Sequence, residues 1–131
     1  MQVAYYVQLN AINEIVTLSF MTEDNIDVDR EMVFKFPMWR QDANNDTIDI
    51  LKYLSYMECD GSGALTLVWD AVADTLPACV QNKMCYKEFT VTTSLIPNNS
   101  MVWLYFKMNE ARAVDVYPVA LRYYQKRRIS S

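Results

Sequence analysis

Apolar residues recur at every second position in three stretches of the first third of the chain, residues 3–9, 15–20 and 26–36, with Arg30 as an interruption in the third. This period matches a β-strand, in which neighbouring side chains point to opposite faces. We therefore predict three consecutive strands. Pro37 cannot donate a ladder hydrogen bond, so it should end the third strand or place it at the edge of a sheet.

The apolar spacing changes after Asn45, where the sequence predicts a helix over residues 47–58. Apolar side chains then recur three residues apart, at Ile48, Leu51, Leu54 and Met57. This spacing places them on one face of a helix. Asn45, Asp46 and Thr47 are suitable N-cap residues. We expect this helix to pack on the sheet.

Both glycines of the chain, Gly61 and Gly63, follow the predicted helix. A phosphate-binding loop instead precedes a helix, because the free N–H groups at the helix N-terminus must face the phosphate. The reversed order predicts that Gly61 caps the C-terminus of the helix. We therefore expect no nucleotide site here.

Four more strands are predicted, over residues 65–70, 88–96, 101–108 and 114–124, with residues 73–87 as a long loop. Short links between neighbours favour antiparallel pairing. The chain is thus predicted to be mainly β, with about seven antiparallel strands in a sandwich or a partly closed barrel and one helix packed on it. Proline and glycine are scarce, so residues 1–131 should form a single domain.

The chain contains no histidine. This excludes catalytic triads that depend on an imidazole base, zinc sites with histidine ligands and histidine acid–base catalysis near neutral pH. No stretch supplies a metal-binding or cofactor-binding motif in its place. We therefore expect a protein that is not an enzyme and that uses no cofactor.

Three cysteines are present, Cys59, Cys79 and Cys85, and the N-terminus lacks the features of a signal peptide. An odd number of cysteines without an export signal favours reduced thiols, and hence an intracellular or virion location rather than secretion. The spacing leaves open whether Cys79 and Cys85 pair. No apolar run approaches the ~18–20 residues that span a bilayer, so we expect no membrane partner.

The third predicted strand carries carboxylates on one face, at Asp27, Asp29 and Glu31. Successive carboxylates on that face are about 7 Å apart, which is too far for one cation to gather all three easily. Three interpretations remain open: a solvated strand face, an electrostatic docking face, and a metal site.

Trp103 and Tyr105 share one face of the strand predicted at residues 101–108, opposite Val102 and Leu104. Two interpretations remain open. Either the strand is buried on both sides, against the helix or a second sheet, or the two rings form a contact patch. Tryptophan and tyrosine are favoured anchors of protein interfaces, which supports the second interpretation.

Charge is distributed unevenly along the chain. Residues 1–111 carry seven basic and fifteen acidic side chains, net −8, whereas residues 112–131 carry five basic and one acidic, net +4. The acidic body would repel phosphates, so we do not expect a nucleic-acid partner. The basic end is either a solvated tail or a segment that docks on the acidic face of a neighbouring copy.

We therefore expect a structural or interaction protein that self-assembles. The predicted interface combines the acidic strand, the aromatic pair and the basic end: Asp27, Asp29, Glu31, Trp103, Tyr105, Arg122, Tyr123, Lys126, Arg127 and Arg128. At the level of architecture, a small antiparallel sandwich with one inserted helix is similar to phage tail-tube and related virion proteins. That resemblance implies a tail-tube-like or capsid-associated component of a viral or phage particle, assembled into rings. The alternative is a small monomeric module that binds or inhibits another protein.

Overall fold

The computed structural model describes residues 6–22, 30–41, 45–59, 63–117 and 122–127, with Arg30 and the last range described as backbone alone. Within these residues lie nine strands: β1 (Val7–Leu9), β2 (Ile15–Met21), β3 (Arg30–Arg40), β4 (Ile48–Glu58), β5 (Leu65–Leu76), β6 (Met84–Thr92), β7 (Ser100–Met108), β8 (Val114–Val116) and β9 (Arg122–Arg127). A 3-10 turn, Thr93–Leu95, follows β6.

The strands form two antiparallel sheets, which confirms the prediction of a mainly β sandwich. Sheet I has the order β1-β8-β3-β6, and β9 also pairs with β3 in it. Sheet II has the order β2-β7-β4-β5. Because β6 occupies one edge of β3, β8 and β9 lie one after the other along the opposite edge.

The core lies between the two sheets and is built from alternate residues of the strands. Phe36 of β3 is fully buried and meets two other rings edge-on. The ring of Phe89 in β6 is 5.5 Å away and that of Phe106 in β7 is 5.7 Å away, measured between centroids. Edge-to-face contacts of this kind are a favoured arrangement of aromatic pairs. Phe36 and Phe106 therefore hold the sheets together.

The predicted helix at residues 47–58 is wrong, because these residues form β4, which pairs with both β5 and β7. Ile48 faces the core, whereas Leu51 and Met57 lie on the other side of the strand. A strand that is apolar on both sides imitates the spacing of an amphipathic helix. Gly61, predicted to cap the helix, lies outside the described residues.

Pro37 lies inside β3 rather than at its end, so the prediction of a strand terminus there is wrong. The amide of Tyr117 donates to the carbonyl of Pro37 at 3.0 Å. In an antiparallel strand, the N–H and C=O of one residue point to the same side. The missing N–H of Pro37 therefore faces the gap between β8 and β9, where β3 has no ladder partner among the described residues.

Residues 73–87, predicted to form a loop, belong mostly to β5 and β6. The link between these strands leads into a disulfide that joins Cys79 and Cys85, whose Cα atoms are 6.1 Å apart. That separation is ordinary for a disulfide. The expectation of reduced thiols therefore does not hold for Cys79 and Cys85. Their spacing in the sequence had left open whether they pair. Cys59 is a free, exposed thiol.

Candidate interaction surface

The outer side of sheet II carries large apolar side chains on all four of its strands. Along β7, buried residues alternate with partly exposed ones, and the partly exposed ones include Trp103 and Tyr105. Strand register aligns these two with outward residues of the neighbouring strands. We call this surface the apolar face and define it by Ile15, Met21, Leu51, Tyr53, Met57, Leu65, Leu67, Met101, Trp103 and Tyr105.

The apolar face is open to solvent. Met21 is 61% exposed, Leu65 54% and Leu67 53%. The helix that the sequence offered as a cover for Trp103 is instead β4, which extends the same face. Single exposed apolar residues are ordinary on a protein surface, but a contiguous patch indicates an interaction site.

Trp103 has small partners on both neighbouring strands, Ser19 on β2 and Ser55 on β4. Beside its ring lies an open groove of about 550 Å³, which Thr17 and Tyr105 also line. The groove offers a broad aromatic surface with a few hydroxyl groups. It lacks the convergent charged groups that an active site would place around a substrate.

Tyr105 stacks on Tyr53 of β4, with the ring centroids 4.5 Å apart and the planes inclined by 3°. The ammonium group of Lys107 lies 5.8 Å from the centroid of Tyr53. Burial raises the pKa of Tyr105, the neighbouring Tyr53 and Asp70 add to this effect, and Lys107 opposes it. Its phenol therefore stays neutral at physiological pH and provides an apolar ring with a polar edge.

Of the acidic residues in the predicted interface, Glu31 is the one in the described part of the chain, on β3 of sheet I. Asp27 and Asp29 are outside the described residues, as is Arg128 at the basic end. Glu31 is half-buried on β3, and its register partner on one side is Lys126 of β9. At this position, an acidic and a basic residue of the same chain stand opposite each other.

Residues 122–127 of the basic end form β9, which includes Arg122, Tyr123 and Arg127 and pairs with β3 of the same chain. The predicted interface residues are therefore divided between two surfaces. Trp103 and Tyr105 lie on the apolar face of sheet II, whereas β9 lies on sheet I. Docking of the basic end on a neighbouring copy stays a prediction.

Sequence reasoning missed a buried arginine at the end of β3. Arg40 is fully buried and donates to the carbonyl oxygens of Asp46 at 2.8 Å and Pro77 at 3.2 Å. The Asp46 carboxylate accepts hydrogen bonds from Arg40 and Arg112. The hydrogen bond from Arg112, together with the charges of both arginines, holds the pKa of Asp46 below its ordinary value. Asp46, predicted as part of a helix cap, therefore anchors the link between β3 and β4.

A second charged cluster joins the two sheets where β5 approaches β6. Asp74 accepts a hydrogen bond from Lys87 at 3.0 Å and lies 3.2 Å from the ammonium group of Lys52. Lys52 also lies 4.6 Å from the ring centroid of Trp69. Desolvation raises the pKa of Asp74, but hydrogen bonds from the Thr75 amide and Lys87 outweigh it, so the pKa falls below its ordinary value.

Two further classes of site, a metal centre and a membrane-spanning helix, are not found in the described part of the chain. There, no three side chains among His, Cys, Asp and Glu come close enough to hold a metal ion together. Nor does that part contain a helix with the length and apolar character needed to cross a bilayer. The metal-site interpretation of the acidic strand depends on Asp27 and Asp29, which lie outside the described residues.

Comparisons with known proteins give one distant likeness. No protein-family model matches the chain, and no curated protein sequence matches it. Among solved structures, a Family 16 Carbohydrate Binding Module-2 is similar over 91% of this chain and 74% of that chain, with a TM-score of 0.36 and 12% sequence identity. A likeness at that level does not carry a functional assignment to this chain.

Proposed function

We propose that the protein is a non-enzymatic interaction protein that assembles with copies of itself through the apolar face of sheet II. The observation that carries the proposal is the exposure of large apolar side chains on both outer strands of one sheet, Met21 on β2 and Leu65 and Leu67 on β5. Contiguous apolar surface in water has an unfavourable free energy that association removes.

The size of the face suits a protein interface. Four strands spaced about 4.8 Å apart, with seven residues of about 3.3 Å each, present roughly 450 Å² of flat surface. Side-chain relief makes the accessible area larger than the flat area. The flat area alone is about half of the roughly 800 Å² of accessible surface per partner that a standard interface buries.

A second copy of the chain is a suitable occupant of this face. Packing of one sheet on another, about 10 Å apart, is how this chain already buries the inner side of sheet II. The face is also bordered by charges of both signs, Lys107 and Asp70, which both act on Tyr105. A two-fold axis that passes between Lys107 and Asp70 brings each of them opposite the other residue of the second copy, so the charges are complementary.

The absence of histidine from the sequence supports a non-enzymatic role. The pKa shifts found among the described residues also move away from neutral pH. Asp46 and Asp74 have lowered pKa values, and Tyr105 has a raised one. General acid–base catalysis near neutral pH requires shifts in the opposite directions.

Leu67→Lys tests the proposal, with Tyr86→Lys as a matched control. Leu67 is 53% exposed on the apolar face, and Tyr86 is 59% exposed on sheet I. Burying the exposed half of a leucine is worth about 1 kcal/mol per copy, so losing two copies' contribution weakens a symmetric contact by at least about tenfold. In sedimentation velocity over a concentration series, the wild type and Tyr86→Lys should associate, and Leu67→Lys should remain closer to the monomer.

A wild type that stays monomeric at every concentration would overturn self-assembly. That result favours the alternative, a small monomeric module that binds another protein through the same face. A role in a viral or phage particle stays a prediction from the sequence. The resemblance to virion proteins assumed one inserted helix, and the residues predicted to form that helix instead form β4 of sheet II.

A further inference from the structure

Three of the outer strands, β2, β5 and β6, are long enough for extended pairing with another chain, whereas the outer strand β1 has only three residues. β5 has two register shifts against β4 and carries Asp70 and Asp74, and β6 carries Lys87 and Glu88. β2, with the sequence IVTLSFM, has no charge, no proline and no register shift. Charges and bulges protect outer strands from edge-to-edge association, so β2 is the unprotected one of the three.

The free edge of β2 presents the backbone groups of its odd-numbered residues. The carbonyl of Glu14 accepts from the Met108 amide at 2.9 Å, and the amide of Thr22 donates to the Ser100 carbonyl at 2.9 Å. Between these two points the register with β7 is unbroken, and backbone direction alternates along an antiparallel strand. The backbone N–H and C=O groups therefore point away from β7 at residues 15, 17, 19 and 21. No other strand of the described residues pairs with them there.

A two-fold axis beside Leu18 matches these outward groups with those of a second copy. Position 15 then faces position 21 of the other copy, and position 17 faces position 19, so all four outward residues find outward partners. If the axis is moved along the strand, some outward backbone groups have no partner, or they face residues whose backbone groups already bond to β7.

The side chains of β2 agree with the same register. Ile15 meets Met21 of the other copy, and Val16 meets Phe20, so apolar residues face apolar ones. Thr17 meets Ser19, which brings two hydroxyl groups together. Cross-strand pairs of these kinds each add to the stability of an antiparallel ladder.

We infer that β2 pairs antiparallel with β2 of a second copy and so joins two four-stranded sheets II into one continuous sheet. The joined sheet doubles the apolar face to roughly 900 Å² of flat surface, which is comparable to one side of a standard interface. The inference deepens the proposed self-assembly and rests on it, but it assigns a different contact surface, the edge of β2 rather than the apolar face.

Cysteine cross-linking tests the register directly. Leu18 faces itself across the axis as a non-hydrogen-bonded pair, with Cα atoms about 4.5 Å apart, which a disulfide can span. The variants are made with Cys59→Ser, since Cys59 is the free thiol. Under mild oxidation Leu18→Cys should give a covalent dimer. Phe20→Cys, whose two copies lie about 14 Å apart across the axis, should not. A mixture of Val16→Cys and Phe20→Cys should cross-link.

Ser19→Pro tests the backbone contact by removing an outward N–H. Proline is tolerated on an outer strand at such a position, and circular dichroism verifies that the variant folds. Each dimer loses two interchain hydrogen bonds, so the association constant should fall about tenfold or more. Ser19→Ala keeps the N–H and should associate like the wild type.

The outcomes separate this inference from the proposed function. If the wild type associates but Leu18→Cys and Phe20→Cys cross-link equally, or neither does, the β2 contact is overturned and the apolar face still stands. If Leu18→Cys cross-links selectively while Leu67→Lys associates like the wild type, the β2 contact stands and the proposed role of the apolar face fails. Normal association of a folded Ser19→Pro also overturns the inference.

Discussion

Trp103 and Phe106 lie on opposite sides of β7, so replacing each tests whether the strand has one buried side or two. Phe106 is fully buried and contacts Phe36 and Phe89 in the core. Trp103 is partly exposed and lies beside an open groove. Trp103→Thr introduces a β-branched residue suited to a strand, and Phe106→Ala empties a core position.

The expected losses of stability differ several-fold. Deleting a fully buried phenylalanine ring costs about 3–5 kcal/mol, because transfer and cavity terms add. Trp103 keeps part of its ring in water, and its flanking partners Ser19 and Ser55 are small. Its replacement should therefore cost the monomer about 1 kcal/mol. The same change should weaken association, because a central aromatic anchor is lost.

Urea unfolding followed by far-ultraviolet circular dichroism measures both losses. The experiment is done in dilute solution, so that association does not contribute to stability. Equal slopes of free energy against urea concentration would show that the variants unfold from comparable folded states. A loss for Trp103→Thr as large as that for Phe106→Ala would show that Trp103 is buried, and the apolar face would then not be an open surface.

Two other predictions concern the clusters that join the strands. Because the pKa of Asp74 lies below its ordinary value of 3.8, its stabilising contribution is present above about pH 4 and is lost as pH falls through the folded-state pKa. Unfolding free energy measured from about pH 6 to pH 3 should therefore fall less steeply for Asp74→Asn than for the wild type, and an unchanged slope would contradict this assignment. Reducing the bond between Cys79 and Cys85 should lower the unfolding free energy by about 2 kcal/mol, because the unfolded chain then regains the entropy that closing a short loop removes. Cys59→Ser should respond to the reductant as the wild type does, and identical unfolding with and without reductant would refute this contribution.

Strand periodicity predicted the architecture where only one side of a strand is apolar. In β2, Val16 is buried while Thr17 and Ser19 are exposed, so period two is visible in the sequence. β4 hides that period, because Leu51 and Met57 on its outer side are apolar as well. The apolar outer side of β4 therefore explains both the wrong prediction of a helix at residues 47–58 and the existence of the apolar face.

The candidate site could be predicted only in part for a related reason. Trp103 and Tyr105 are recognisable from their alternation along one strand. Their neighbours Leu65 and Leu67 join them only through the register of β4 with β5 and β7, which residue spacing does not encode. The burial of Arg40 likewise depends in part on the carbonyl of Pro77, which is distant in sequence.

Hydroxyl-radical footprinting of the wild type across a concentration series tests the central claim most directly, because it reports the exposure of individual side chains. Oxidation of Trp103, Met101 and Met57 on the apolar face should fall as the protein associates, while that of Met84 and Tyr86 on sheet I should stay constant. Equal oxidation of the apolar face at all concentrations, or protection confined to sheet I, would contradict the assignment of the outer side of sheet II as the contact between copies.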